Sequence, residues 1–404
     1  MSIWLLGGLV AALQAITFAQ AIEQSEHAPL LEAALAVEAA RRDQADHVSL
    51  MTHNPIFGVQ PGTRALERGG HGPEVYVSLS QRVNLARLSK RRREALEREL
   101  SHDVAAQRVL RFSVRRAVAE LWFARWGAQE AQALAERERA LAAELLSTME
   151  TLLSAGEGTV LERAAALTWG AEAEIAALTF EGEAMATGVS LARAMGQPPT
   201  ASLAVATELP QIDLTDEASL RAALLDVRSA PGVASATTLR EADSSRLAEV
   251  AAARGPTMAF GALGWREGGG DYAAVATLEV DIPVFERGER ERATAAAEVE
   301  RAKGNERESV LTAQAERVLW LHDIQHSREL LEVIERRLLP SAWAVADAQY
   351  KRMQAREATA QDWVLARRAV LKSELDAIRA RATQALARFL VAEALSQTGA
   401  EPGR

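Results

Sequence analysis

Residues 86–154 contain no proline and a single glycine, Gly127, and consist largely of Ala, Glu, Leu and Arg. A stretch of that length and composition folds as one continuous α-helix, which at about 1.5 Å per residue runs roughly 100 Å. Such a helix needs a partner of similar length, and the chain supplies one. The break "AGEGT" at 155–159 places Thr159 to cap a new helix, with Glu162 three residues on as the other half of a capping box. The return helix is expected to run to about Met195 and to stop at "GQPP".

The same design is written twice. "AREAT" at 355–359 repeats the break, and Glu157 and Thr159 recur as Glu357 and Thr359, 200 residues on. "LWF" at 121–123 answers "LWL" at 319–321, and Ser89 answers Gly288. The second long helix is expected from about Gly288 to Leu338. Pro340 interrupts it, the pattern resumes to the break, and the return helix ends near Leu395. A repeat of this length marks a duplicated structural unit.

Strand-like segments precede each long helix. In "PEVYVSLSQRVNL", Val75, Val77, Leu79, Val83 and Leu85 fall on one face, with Ser78, Ser80, Arg82 and Asn84 on the other. In "DYAAVATLEVDIPVF", Tyr272, Ala274, Ala276, Leu278 and Val280 oppose Thr277, Glu279 and Asp281. "GPTMAFGALGW" is a further strand, joined to it by "REGGG". "HVSLMTHNPIFGVQPGT" replaces alanine with β-branched and aromatic residues, although Asn54-Pro55 and Pro61-Gly62 read as breakers, and "RALERGGHG" reads as a polar link. Before it, about Phe18–Ala45 reads as one amphipathic helix. The fold class is therefore mainly α with a small β part: duplicated long helical hairpins plus four strands.

The layout is 1–21 as a candidate signal peptide, 22–196 as the first repeat, 197–254 as a linker with helices at about 215–228 and 234–252, 255–396 as the second repeat, and 397–404 as a disordered tail. The apolar run Ile3–Leu13 has the length of a signal-peptide core, and Ala19-Gln20-Ala21 or Leu13-Gln14-Ala15 fits the cleavage pattern. No segment has the roughly 18 uninterrupted apolar residues of a membrane-spanning helix. Net charge is −9 with no basic face, which argues against nucleic acid as a partner. The absence of cysteine excludes disulfides, thiolate metal sites and a lipidated cysteine.

Four strands cannot close a barrel. If their apolar faces meet lipid, other copies of the chain must complete one, since each unpaired backbone group there costs several kcal/mol. Trp265, Tyr272 and Tyr76 would then suit the interfacial girdles. The alternation fits equally a small soluble sheet packed on helices.

These residues resemble the TolC-type outer-membrane efflux proteins over essentially the whole chain. "ITFAQAIEQSEHAPLLEAA" is similar to the opening helix of that family. "NPIFGV" at 54–59 followed by "VSLSQRVNLARLSKRRREA" at 77–95 resembles its strand-to-helix signature, and "LEVDIPVFERGERERATAA" at 278–296 is the second copy. The Asn-Pro and Ser-Gln arrangement leans towards the heavy-metal, CzcC-like branch. The resemblance implies a homotrimer with a β-barrel in the outer membrane, in contact with its lipid, and an α-helical tunnel in the periplasm. It implies a passive exit duct for metal ions or small toxic molecules, fed by an inner-membrane pump and docked through a periplasmic adaptor at the hairpin tips. No enzyme activity and no cofactor are implied. Gly156, Gly158 and Thr159 match the first tip and Thr359 the second, where Arg356 and Ala358 replace the glycines and leave turn geometry and adaptor contacts open. Asp362 matches an acid at the closed entrance in some members; the neighbouring acid falls on Leu365. Arg87, Leu88 and Ser89 stand where a glycine pair is common.

No catalytic constellation is present. "HDIQH" places His322 and His326 on one helical face, able in principle to bind a metal, but the glutamate of a zinc-protease motif is missing and a solvated face is favoured. "GWREGGGD" lacks the Lys-Ser/Thr of a phosphate loop and reads as a hairpin turn. The "KRRRE" cluster at 90–94 is a solvated face. Asp362 has two readings. Three copies about an axis would form a carboxylate ring attracting cations, with Arg367 and Arg368 one turn on to pair with such acids. Alternatively, Asp362 is an exposed helix-start acid favoured by the macrodipole. For the whole chain the other open reading is a soluble coiled-coil scaffold.

Overall fold

The computed structural model describes residues 15–46, 53–65, 69–198, 203–214, 226–266, 271–282, 285 and 287–396. They form two compact units, each drawing on both halves of the chain. One lies within 34–109 and 231–311, the other within 1–33, 110–230 and 312–404.

The first unit holds a four-stranded antiparallel sheet, β1 (Ile56–Ala65), β2 (His71–Asn84), β3 (Thr257–Arg266) and β4 (Tyr272–Asp281), in that order. Val77 pairs with Val59 and Gly264, Leu79 with Phe57 and Ala262, and Phe260 with Leu278. Paired residues of antiparallel strands share a face. The register therefore gathers Phe57, Val59, Val75, Val77, Leu79, Phe260, Leu278 and Val280 on one side, all exposed. Ser78, Ser80, Arg82, Thr277 and Glu279 lie on the other.

Pro61 and Gly62 do not break β1. It is an edge strand, where a missing donor is tolerated. Tyr76 and Trp265 are cross-strand partners with rings stacked 6.2 Å apart, on the polar side. The girdle expectation fails for both; only Tyr272 lies on the apolar face. Glu74, buried beside them, accepts a 3.0 Å hydrogen bond from the Tyr76 hydroxyl and lies 3.7 Å from Arg64.

Two long helices start in this unit, α3 (Leu88–Ser154) and, later in the chain, α6 (Glu289–Val333). Each is preceded by a residue in the left-handed region, Arg87 at φ 58° and Gly288 at φ 69°. The structural counterpart of Gly288 is thus Arg87, not Ser89. A Cβ at Gly288 would sit 2.6 Å from Arg254 Cγ. The helix α5 (Pro231–Ala253) matches the expected one at 234–252, and Asn84 Nδ2 donates to its Ala252 carbonyl at 3.0 Å. The expected helix at 215–228 lies largely outside the described residues, as do "REGGG" beyond Arg266, residues 1–14 and the tail.

The expected single N-terminal helix is two, α1 (Phe18–Ser25) in the second unit and α2 (Pro29–Asp46), whose greater part belongs to the first. Thr17 and Gln20 form a capping box, and Pro29, lacking an N–H, opens the second helix rather than continuing the first. Phe18 packs 5.0 Å from both Phe123 and Phe389 and 5.4 Å from Trp122. The boundary expected at residue 21 therefore falls inside α1, with Ile16, Phe18 and Ala21 part of the core. Ile16 bridges Val205, and indole donors on α3 hold both segments: Trp122 Nε1 to the Ile16 carbonyl at 3.2 Å, Trp126 Nε1 to that of Thr207 at 2.8 Å.

The remaining helices are α4 (Val160–Ala194), α7 (Leu339–Gln354) and α8 (Ala360–Ser396). Pro340 does not interrupt the long helix. A π-turn over Ile334–Leu338 precedes α7, with the Leu339 N–H bonded to the Ile334 carbonyl. The wider turn gives the proline ring room that a regular turn denies it.

Replacing Trp122 by Ala should cost roughly 3–5 kcal/mol in denaturant melts and raise hydrogen exchange around Ile16 and Val205.

Candidate functional site: the paired hairpin tips

The α3–α4 and α7–α8 tips share one construction. At the first, Gly156 sits at φ 76°, and the Glu157 N–H donates to the Leu152 carbonyl at 2.9 Å. At the second, Arg356 takes φ 63°, and the Glu357 N–H donates to the Arg352 carbonyl at 2.8 Å. The second turn therefore keeps the geometry of the first, although the left-handed region costs an L-residue about 1–2 kcal/mol. Arg356 also bonds across to the other tip, donating 2.5 Å to the Glu157 carbonyl and 2.6 Å to its carboxylate. Gly158 donates to the Leu152 carbonyl at 3.0 Å, and a Cβ there would lie 2.9 Å from the Leu153 nitrogen.

Both return helices begin with a capping box. Thr159 exchanges hydrogen bonds with Glu162, its N–H donating to Oε2 at 2.9 Å and its hydroxyl accepting from the Glu162 N–H at 3.2 Å. Thr359 does the same with Asp362, at 2.9 and 3.3 Å. Asp362 is exposed, and hydrogen bonds from the Thr359 N–H and hydroxyl, with the charge of Arg352, hold its carboxyl below the usual carboxylate range. Within this chain it is a capping acid.

Arg367, one turn on, is buried. Its guanidinium pairs with the buried carboxylate of Glu138 on α3 and stacks 4.6 Å over the Trp343 ring on α7. Burial pushes the Glu138 carboxyl up, while Arg367 pulls it down. Arg368 instead faces solvent and meets Glu172 of α4 at 2.5 Å. Sequence separation hid the Glu138–Arg367 pair, because nothing local to either residue announces it. Trp363 packs edge-on to Trp169 at 5.3 Å and lies 5.4 Å from Tyr350, joining the return helices behind the tips. Beside the tips, between α3 and α7, lies a cleft of about 920 Å³.

The His322 and His326 rings stack 5.5 Å apart on an exposed face of α6. Among the described residues no group of three His, Asp or Glu is placed to hold a metal ion.

No family model and no curated protein matches the chain. Solved structures do. The outer-membrane channel OprN aligns with a TM-score of 0.78 at 18% identity, over 94% of this chain and 89% of that one. This chain has the fold of the outer-membrane channel proteins. The Campylobacter jejuni CmeC outer-membrane channel aligns at 0.73 and 14%, over 94% and 85%, and the Vibrio cholerae outer-membrane protein VceC at 0.69 and 17%, over 95% and 96%. The likeness is shared among several outer-membrane channels and does not single out a heavy-metal branch.

Removing one member of the buried pair, as in Glu138→Leu, should destabilise by roughly 3–5 kcal/mol, and adding Arg367→Met should recover much of the loss; a double-mutant cycle of chemical melts measures both. The depressed Asp362 pKa means that its cap is complete above the ordinary value of 3.8 and is lost as pH falls through the folded-state value. The Tm gap between the native chain and Asp362→Ala should therefore close as pH is lowered below 3.8.

Proposed function

We propose that the chain is one subunit of a trimeric, passive exit duct of the outer membrane, working with a periplasmic adaptor and an inner-membrane pump. The observation that carries this reading is the sheet. Its predominantly apolar side, with Phe57, Val77, Leu79, Phe260 and Leu278, spans all four strands and is exposed, and among the described residues the outer edges of β1 and β4 are unpaired. Twelve strands from three copies would pair every edge and turn the apolar side to lipid, with Ser78, Arg82 and Glu279 towards the lumen. The likeness to outer-membrane channels supports the same assembly. No described helix is long and apolar enough to cross a membrane, which leaves the strands to do so in this reading.

The helices add a second support. On α4, Leu167, Ile175, Leu178 and Met185 are exposed at spacings of a helical stripe, as a face awaiting another copy would be. The tips, with Gly156, Gly158, Thr159, Arg356 and Thr359, would meet the adaptor. Three copies of Asp362 would ring the entrance, and Arg367, held by Glu138, would fix the helix that carries them. Metal ions and small toxic molecules both remain substrates of this reading, with selection assigned to the pump. The two repeats are read as halves of an ancient duplication.

Membrane fractionation with unboiled gels and cross-linking tests the proposal. An SDS-resistant trimer in the outer-membrane fraction is expected; a soluble monomer or dimer from an exported chain would sink it in favour of a coiled-coil scaffold. Val77→Arg or Leu278→Arg should cut the membrane-inserted fraction sharply, since a cation near the midplane of a barrel costs roughly 2–4 kcal/mol. Asp362→Ala should reduce cation preference in single-channel recordings; unchanged conductance and preference would remove Asp362 from the entrance.

A further inference from the structure

We propose that the cleft beside the tips binds small amphiphilic organic cations, such as aromatic amines and quaternary or delocalised ammonium ions. The cleft lies within one helical unit and, at about 920 Å³, has the size of a site for a drug-sized molecule. One wall, from α3, carries Leu141, Leu145, Met149 and Leu152 together with Glu144. The other carries Trp343, Tyr350 and Trp363. Trp343 and Tyr350 are 44% and 40% exposed, so ring surface is open to a ligand. The electron-rich ring of Trp343 already holds a cation, the Arg367 guanidinium.

Charge selects the sign of the ligand. The lining holds six carboxylates and two guanidiniums, and both guanidiniums are engaged, Arg356 with Glu157 and Arg367 with Glu138. Among the described residues Glu144 and Glu357 form no ion pair, and Asp347 meets only the exposed Lys351, at 2.6 Å. An anion entering this cleft meets uncompensated carboxylates and gains nothing from the aromatic faces. A cation with a flat apolar body satisfies both walls. The limited volume of this half-open cleft and its aromatic rings favour a small molecule over a peptide segment or a second copy of the chain, either of which would present far more surface than the cleft receives.

The test is a fluorescence-anisotropy titration of the detergent-solubilised full chain with rhodamine 6G, a cationic xanthene, against fluorescein, its anionic relative. Saturable binding of rhodamine 6G alone is expected, weakened by salt. Trp343→Ala should weaken it about tenfold and Trp343→Phe much less. The surface double variant Glu144→Gln/Glu357→Gln, which leaves the aromatic floor intact, should weaken it several-fold and reduce the salt dependence. Equal binding of fluorescein, or unchanged affinity in both Trp343→Ala and the double variant, would overturn the proposal. So would the absence of saturable binding, the outcome expected if a second copy or a peptide fills the cleft. The titration reads one chain in solution and requires neither a trimer nor insertion, so its failure and that of the duct reading are distinguishable.

Discussion

An antiparallel sheet with one predominantly apolar side, interrupted at Gln81 and Arg266, and two open edges is not a finished structure. In water the apolar side of this sheet exposes Phe57, Leu79, Phe260 and Leu278 together, a contiguous patch of a kind that monomeric proteins rarely leave uncovered. In lipid that side is satisfied, but every bare N–H and C=O along β1 and β4 becomes a cost of several kcal/mol. In the proposed duct, closure with strands of further copies would remove both penalties. The bias of the two faces matters because closure would turn every residue either outward or inward; Gln81 and Arg266 are the polar exceptions on the side of Val77 and Phe260. A single polar residue among Val75, Val77 and Leu79 would oppose it.

The helical unit meets a matching demand at its turns. A helix ends with unpaired carbonyls and begins with unpaired N–H groups, and a reversal of two long helices brings both together. Each tip answers with one left-handed residue, which returns an N–H to the last turn, and one capping box, which covers the first turn of the next helix. Glycine does the first task without strain. Arg356 does it at some conformational cost, offset by two bonds to Glu157 that glycine does not offer. The departure at the second tip thus joins two tips that the duplication alone leaves independent.

Periodicity carried most of what the sequence revealed. The long helices, their breaks, the capping residues and the two-sided strands are local patterns, and each lies where its pattern puts it. The errors have local causes too. Counting by two from Val75 already places Tyr76 on the opposite side, a signal overlooked in favour of the general habit of aromatic girdles. Pro29 marked the start of α2, and the residues before it gave no strong break. Pro340 stood as a stop, but a π-turn absorbs it. The equivalence of Ser89 with Gly288 followed residue spacing, whereas backbone conformation pairs Gly288 with Arg87. The Glu138–Arg367 pair and the cleft depend on contacts between helices distant in sequence, and no periodicity encodes them.

The two repeats share a plan but not a burial pattern. At the tip offset of 200 residues, Arg367 corresponds to Leu167. The charged residue is the buried one, and Leu167 is 51% exposed. Hydrophobicity alone predicts the reverse. The inversion follows if α8 is covered within its own chain while α4 waits for a neighbour. Inside the chain, a buried pair can fix the register of α8 against α3, because the guanidinium finds its carboxylate at one longitudinal setting only. At an exposed face that must pack against another copy, an aliphatic stripe adapts to small shifts and carries no desolvation cost. In the proposed assembly, the exchange of Arg367 for Leu167 between two copies of one hairpin would then mark a surface that the chain completes for itself and one that it leaves to be completed by another.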